Sequence, residues 1–109
     1  MGYLWCKKKI DNKNFSIKSV IEKPSIKKAP SNNAVIGRYI LPKKIFNKLL
    51  KLKPGKGSEI HITDAIQSLI NDKEKFIGHN FSGNYLDCGT MRGYINSTLE
   101  IVKIWNYAW

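Results

Sequence analysis

Four prolines decide where this chain can run straight. Proline has no backbone N–H to give a ladder or a helix, and it biases the residue before it towards extended backbone. Pro24 closes a stretch of alternating side chains over residues 15–23, with Phe15, Ile17 and Ile21 on one face and Lys18, Val20 and Glu22 on the other. That period of two predicts a strand. Residues 2–8 read as a second strand and the polar residues 9–14 as the turn between them, so the two form an antiparallel hairpin. Residues 24–33, holding Pro24, Pro30 and the pair Lys27–Lys28, form a loop. Residues 34–41 read as a third strand, and Gly37 in its middle signals a bulge or a close approach to the backbone. Pro42 suits the first turn of a helix whose stripe is Ile45, Phe46, Leu49, Leu50 and Leu52. Pro54 ends that helix in a mobile basic loop over residues 53–58.

Beyond the last proline the period changes to that of helices. Thr63 is placed to cap a second helix, with Asp64 at its positive end and Ile62, Ala65, Ile66, Leu69 and Ile70 on its apolar face. A short strand over 75–79, a turn at Gly83 and a strand-like stretch over 84–88 follow. Gly89-Thr90 leads into a third helix, with Met91, Tyr94, Ile95, Thr98, Ile101, Val102 and Trp105 as its apolar positions. The order β-β-β-α-α-β-β-α is that of an α/β segment. Its first strand has no lead-in, and the chain closes on the aromatic run Trp105-Asn106-Tyr107-Ala108-Trp109, where termini are usually polar. The segment therefore reads as part of a larger fold. The terminal aromatics imply a covered surface, against either the rest of the domain or a second copy in a homo-oligomer.

Length and composition narrow the function classes. A chain of 109 residues with 42% hydrophobic residues can build one core, and it has no stretch approaching the ~20 apolar residues of a membrane span. No membrane partner and a cytoplasmic location are expected. Cys6 and Cys88 stand far apart and lack metal-ligand spacing, which predicts two free, buried or half-buried thiols. The net charge of +11 is lopsided, with 15 basic and 2 acidic groups in residues 1–56. Such a half invites an anionic partner. Of the 19 basic residues, however, only Arg38 and Arg92 are arginine, the usual bidentate reader of phosphate and base edges, which argues against nucleic acid.

Three local constellations carry chemistry. Glu22-Lys23-Pro24 ends a strand, where a carboxylate can accept from two sugar hydroxyls while the adjacent ammonium meets a phosphate; a solvated ion pair before a loop is the other reading. Asp87 sits at a strand end before a glycine turn and a helix, the place where open α/β sheets hold ligands. Its carboxylate suits a hard cation such as Mg²⁺, or it simply starts the helix. The third constellation joins Gly37 to residues 58–64, where Glu59 either orients a loop or, like Asp64, caps the helix. His61 and His79 have no partner visible in sequence and read as structural or exposed.

Five blocks in order carry a resemblance: Glu22-Lys23-Pro24, Ala-Pro-Ser-Asn at 29–32, Ala-Val-Ile-Gly-Arg-Tyr at 34–39, Glu-Ile-His-Ile-Thr-Asp-Ala-Ile at 59–66, and Leu-Asp-Cys-Gly-Thr at 86–90. This series resembles the C-terminal part of the bacterial UTP–glucose-1-phosphate uridylyltransferases, within the sugar-1-phosphate nucleotidylyltransferases. The resemblance implies the C-terminal part of a Rossmann-like α/β/α sandwich with a mixed sheet, and residues 1–109 as the sugar-phosphate and metal-binding part of one domain. It implies UTP and glucose 1-phosphate as substrates, UDP-glucose and pyrophosphate as products, and Mg²⁺ as cofactor. Carried onto this sequence, it gives Glu22 the glucose hydroxyls and Lys23 the phosphate. Gly2 and Val35, with Gly37, line the sugar pocket, and Asp87 is one of two carboxylates on the metal.

The chain also departs from that pattern. It lacks the glycine-rich nucleotide loop, the Pro-Lys signature and the second metal carboxylate that the family's N-terminal half supplies, and Met1 stands where an aromatic residue often precedes the pocket glycine. Without the groups that stabilise charge on the α-phosphate, the isolated chain is expected to be inactive. A relative using another nucleotide, such as a thymidylyltransferase, and a basic nucleic-acid-binding module are the alternatives.

Overall fold

The computed structural model describes residues 2–54 and 58–105. Two strands, β1 (Gly2–Lys9) and β2 (Asn14–Glu22), form the expected antiparallel hairpin. Its turn is built by Asp11, whose Oδ1 accepts from the backbone N–H groups of Lys13 and Asn14, both at 2.8 Å, while Asn14 Nδ2 donates to Oδ2. The Asn14 side chain and then those backbone donors hold the Asp11 carboxyl below its ordinary range.

The hairpin is not regular. Leu4 faces Val20 and Trp5 faces Ser19, but Cys6 faces Ile17, so Lys18 is an extra residue in β2; Lys7 is likewise skipped in β1. A bulge of one residue flips every following side chain to the other face. The unbroken alternation expected over residues 15–23 is thereby corrected: Phe15 and Val20 are both buried on the core face, and Ile21 is exposed. At the other edge of β2, β3 (Ile77–His79) pairs antiparallel, giving the sheet order β1-β2-β3.

The expected strand over 34–41 is reduced to one bridge, Tyr3 with Ala34. Leu4 N–H donates to Asn33 O at 2.9 Å and Val35 N–H to Gly2 O at 2.8 Å, while the Ser31 hydroxyl donates to Leu4 O. The loop thus covers the free edge of β1. Gly37 then takes φ +77, a left-handed conformation that turns the chain off the edge. Its glycine serves that turn, since nothing lies within 4 Å of the position a Cβ would take.

Three α-helices follow: α1 (Ile45–Lys51), α2 (Ile62–Asn71) and α3 (Met91–Trp105). Pro42 precedes α1 in a turn, its carbonyl accepting from Ile45 N–H at 2.9 Å, so the helix begins a turn later than expected. The stripe also divides. Ile45 is buried with Leu49 and Leu52 packed beside it, whereas Phe46 and Leu50 lie on the neighbouring row and are exposed. α2 supplies the rest of the core as its spacing predicts: Ala65, Ile66 and Leu69 pack with Leu4, Phe15 and Val20. Gln67 Oε1 accepts from Val20 N–H at 2.8 Å, capping an edge of β2 that β3 is too short to reach. The stretch 84–88 is irregular rather than a strand, and Cys88 is accordingly exposed, while Cys6 is half-buried and accepts from Asn33 Nδ2; both thiols are free.

In space, the basic half of the sequence meets the acidic half. Lys44 and Lys48 of the α1 region pair with Glu74 and Asp72 beyond α2, and Lys18 Nζ lies 4.2 Å from the centre of the Trp5 ring. Of α3 only Ser97 is buried; Met91, Tyr94, Ile95, Leu99 and Val102 are exposed. No helix among the described residues is long and apolar enough to cross a membrane. Residues 55–57 of the expected basic loop, Met1, and 106–109 of the aromatic run lie outside the described residues.

The two apolar rows give opposite expectations. Leu69→Ala, at a site 1% exposed, lowers unfolding stability by about 2–5 kcal/mol. Leu50→Ala, at a site 85% exposed, changes it by less than about 0.5 kcal/mol. Urea unfolding followed by circular dichroism checks both.

Candidate functional site

The bulge at Lys18 leaves the last residues of β2 facing α2, so Glu22 continues the row of Val20 at the point where the helix begins. Glu22 pairs with Gly2 across the hairpin, and Thr63, in the first turn of α2, donates from Oγ1 to Glu22 Oε2 at 2.9 Å. Thr63 is therefore not the helix cap that its sequence position suggests. His61 is the N-terminal flanking residue, and its carbonyl accepts from Asp64 N–H. Asp64 lies in the first turn as expected.

Burial pushes the Glu22 carboxyl up, but hydrogen bonds, that from Thr63 among them, and nearby positive charge including His61 hold it below its ordinary value. The positive end of the α2 dipole adds to this preference for the ionised form. Tyr39 responds in the opposite sense: burial first, and then the Glu22 charge, raise its phenol.

These groups surround an open cleft of about 420 Å³, lined by Gly2, Glu22, Val35, Gly37, Tyr39, His61 and Tyr85 with Ile36 and Ile62. Its volume falls within the usual range for small-molecule sites. Four residues singled out in the sequence, Gly2, Glu22, Val35 and Gly37, come together here from three separate segments. Lys23 and Asp87 do not line it. Lys23 follows Glu22 directly with φ +42, a left-handed conformation uncommon for a side-chain-bearing residue and often found at ligand sites. Asp87 lies two residues beyond Tyr85 and is exposed; its Oδ1 accepts from Gly89 N–H at 2.9 Å. Behind it, Gly93 lets the start of α3 close in, since a Cβ there would stand 2.3 Å from the Asp87 carbonyl oxygen.

Tyr39, Tyr85 and His61 also line the cleft; the sequence assigns none of them a role there, although His61 falls within the third constellation and Tyr85 opens the one that holds Asp87. Tyr39 and His61 lay within quoted blocks, and Tyr85 lay just before one. Only the folding of three loops over one sheet end reveals their shared cleft. His79, by contrast, is exposed and its Nδ1 lies 2.7 Å from Asn14 Oδ1.

Gly2 is fixed by its neighbours. A Cβ on it would stand 2.7 Å from Thr63 Cγ2 and 3.2 Å from Val20 Cγ2, both on buried residues that cannot move aside. Gly2→Ala is expected to cost about 1–3 kcal/mol of stability by overpacking. The same change should shift the NMR signals of Thr63 and Glu22 while leaving those of β3 unmoved.

Comparison with known proteins identifies the family to which the chain belongs. Residues 7–103 match the family model described as nucleotidyl transferase. A UTP–glucose-1-phosphate uridylyltransferase of Pseudomonas aeruginosa is 44% identical over 84 residues, covering 77% of this chain and 30% of that protein. One from Staphylococcus saprophyticus is 40% identical over 89 residues, covering 82% and 31%. The chain thus spans less than a third of the length of these curated relatives. A solved UDP-glucose pyrophosphorylase complexed with UDP-glucose superposes with a TM-score of 0.85 at 40% identity, over 94% of this chain and 38% of that one. A UTP-bound counterpart from Acinetobacter baumannii gives 0.70 at 31% identity, over 92% and 33%. The likeness read from five short blocks is borne out, and the chain belongs to the nucleotidyl transferase family.

Proposed function

We propose that residues 1–109 are the sugar-phosphate and metal-binding part of a nucleotidyltransferase domain whose whole protein transfers UMP from UTP to glucose 1-phosphate, giving UDP-glucose and pyrophosphate. The observation that carries this reading is the cleft itself, where an ionised carboxylate, two tyrosines and side-chain-poor backbone converge. An ionised carboxylate only accepts hydrogen bonds, which suits a ligand rich in hydroxyl donors. Tyrosine rings give an apolar wall with a polar edge. The names of the relatives and solved structures supply the substrates.

In this mechanism an oxygen of the glucose 1-phosphate phosphate attacks the α-phosphorus of UTP, and the bond from that phosphorus to pyrophosphate breaks. Such chemistry asks the protein for positioning and charge neutralisation. Glu22 holds the glucose hydroxyls, Gly2 and Val35 shape the pocket, and Gly37 turns the chain that forms its rim. Lys23 neutralises the sugar phosphate. The exposed Asp87 carboxylate, one oxygen fixed by Gly89, suits Mg²⁺, which takes one or two carboxylates and completes its shell with water and phosphate oxygens. Among the described residues no cluster of three or more His, Cys, Asp or Glu could hold a metal, so Asp87 would be this chain's share of the site. When bound, the ion supplies charge neutralisation on the phosphates. The reaction belongs to the cytoplasm in this reading. The apolar face of α3 packs on the rest of the domain or on a second copy.

Fusing this chain to the N-terminal two thirds of a relative and assaying pyrophosphate release from UTP and glucose 1-phosphate tests the reading. Activity is expected in the fusion and not in the chain alone, with UTP preferred over dTTP. Lys23→Ala and Asp87→Ala should each lower kcat/KM by about 100-fold or more. An active fusion indifferent to both substitutions would falsify the site assignment.

A further inference from the structure

Thr63 is almost wholly buried, at 1% exposure, yet it carries a hydroxyl into the first turn of α2. Burying a hydroxyl is unfavourable unless it finds a partner. Its partner is Oε2 of Glu22, 41 positions earlier in the chain and on a different element. Its methyl group is the atom that a side chain at position 2 would strike first. One residue therefore touches both the acceptor carboxylate and the bare backbone opposite it.

We propose that Thr63 is the positioning residue of the cleft: its hydroxyl fixes the orientation of the Glu22 carboxylate, and its methyl keeps the floor at Gly2 free of side chains. This rests on the reading of the cleft as a sugar subsite. A glutamate has three side-chain torsions, and each hydrogen bond to its carboxylate narrows the plane it can take. Holding Oε2 from the helix side sets the plane in which the carboxylate accepts from adjacent hydroxyls of a sugar ring. The bond also favours the ionised carboxylate, which has no proton to compete with those hydroxyls. A further hydrogen bond and the charge of His61 also favour the ionised carboxylate, and Tyr39 responds to its charge, while Thr63 holds one of its oxygens at hydrogen-bond distance from the buried side.

Thr63→Val keeps the shape and the methyl while removing the donor, and Thr63→Ser keeps the donor. In the full chain, the Glu22 side-chain carboxyl is followed by carbon NMR across pH, and α-D-glucose 1-phosphate is titrated into the wild type and both variants. A hydrogen bond to the charged form lowers a carboxyl's midpoint, so its loss raises it. Thr63→Val is expected to raise the Glu22 midpoint by about one pH unit and weaken glucose 1-phosphate binding about 10-fold or more. Thr63→Ser leaves the midpoint near the wild-type value and restores most of the binding. Urea unfolding of Thr63→Val near pH 7 is expected to lose about 1.4 kcal/mol, the free energy that a one-unit rise of the Glu22 midpoint carries, with the variant still folded throughout the binding titration. An unchanged Glu22 midpoint in folded Thr63→Val, or equal binding by Val and Ser variants, overturns the positioning role. A midpoint that moves as expected in a chain whose wild type takes up no glucose 1-phosphate instead overturns the sugar subsite.

Discussion

The one extra residue at Lys18 is the constraint on which both core and cleft depend. A strand of strict alternation that buries Phe15 also buries Ile17, Ser19 and Ile21, and it sends Val20 and Glu22 to the opposite face. The bulge reverses this halfway along β2. Val20 joins Leu4 beneath α2, and Glu22 arrives beside Thr63. The position of the carboxylate is thus a consequence of the packing of the hairpin. It follows that the cleft forms only where α2 lies on the sheet, and the seal between them is the Ala65, Ile66 and Leu69 row together with the Gln67 bond to Val20 N–H.

The loops around the cleft are held by backbone economy of a similar kind. The edge of β1 exposes donors and acceptors that must be met. The segment 31–35 meets them with one serine hydroxyl and two backbone bonds, then leaves at Gly37. That short attachment is enough to bring Val35 beside Gly2, and leaving the edge at once is what opens room for Tyr39 to face Glu22.

How far the sequence discloses this depends on the kind of information each element carries. α2 was legible because five apolar residues at helical spacing admit one burial solution. The hairpin was legible because polar residues 9–14 separate two extended stretches. The bulge was not, since Lys18 is an ordinary exposed lysine and its effect shows only in which of Val20 and Ile21 is buried. Residues 34–41 and 84–88 have strand-like composition, but beyond the Tyr3–Ala34 bridge neither pairs along a strand among the described residues, and pairing is what makes a strand. The row of Phe46 and Leu50 has helical spacing yet faces away from α2, because a helix of seven residues buries only one narrow stripe against one neighbour.

The candidate site divides along the same line. Gly2, Glu22, Val35 and Gly37 were reached through blocks whose order matches a family, and the structure brings those four to one cleft. Thr63 was read as a cap because threonine before a helix usually is one. That rule counts only local partners, namely the orphan N–H groups of the first turn. Here His61 takes the flanking position and Thr63 falls two residues further in, within the first turn, where its hydroxyl is beyond water and a carboxylate from another element is within reach. A buried charge-assisted hydrogen bond outweighs an exposed cap, because it satisfies a desolvated hydroxyl and steadies a charge at once. The competition between a local and a distant partner is therefore settled by burial, and burial is set by the bulge in a strand 45 positions earlier in the chain.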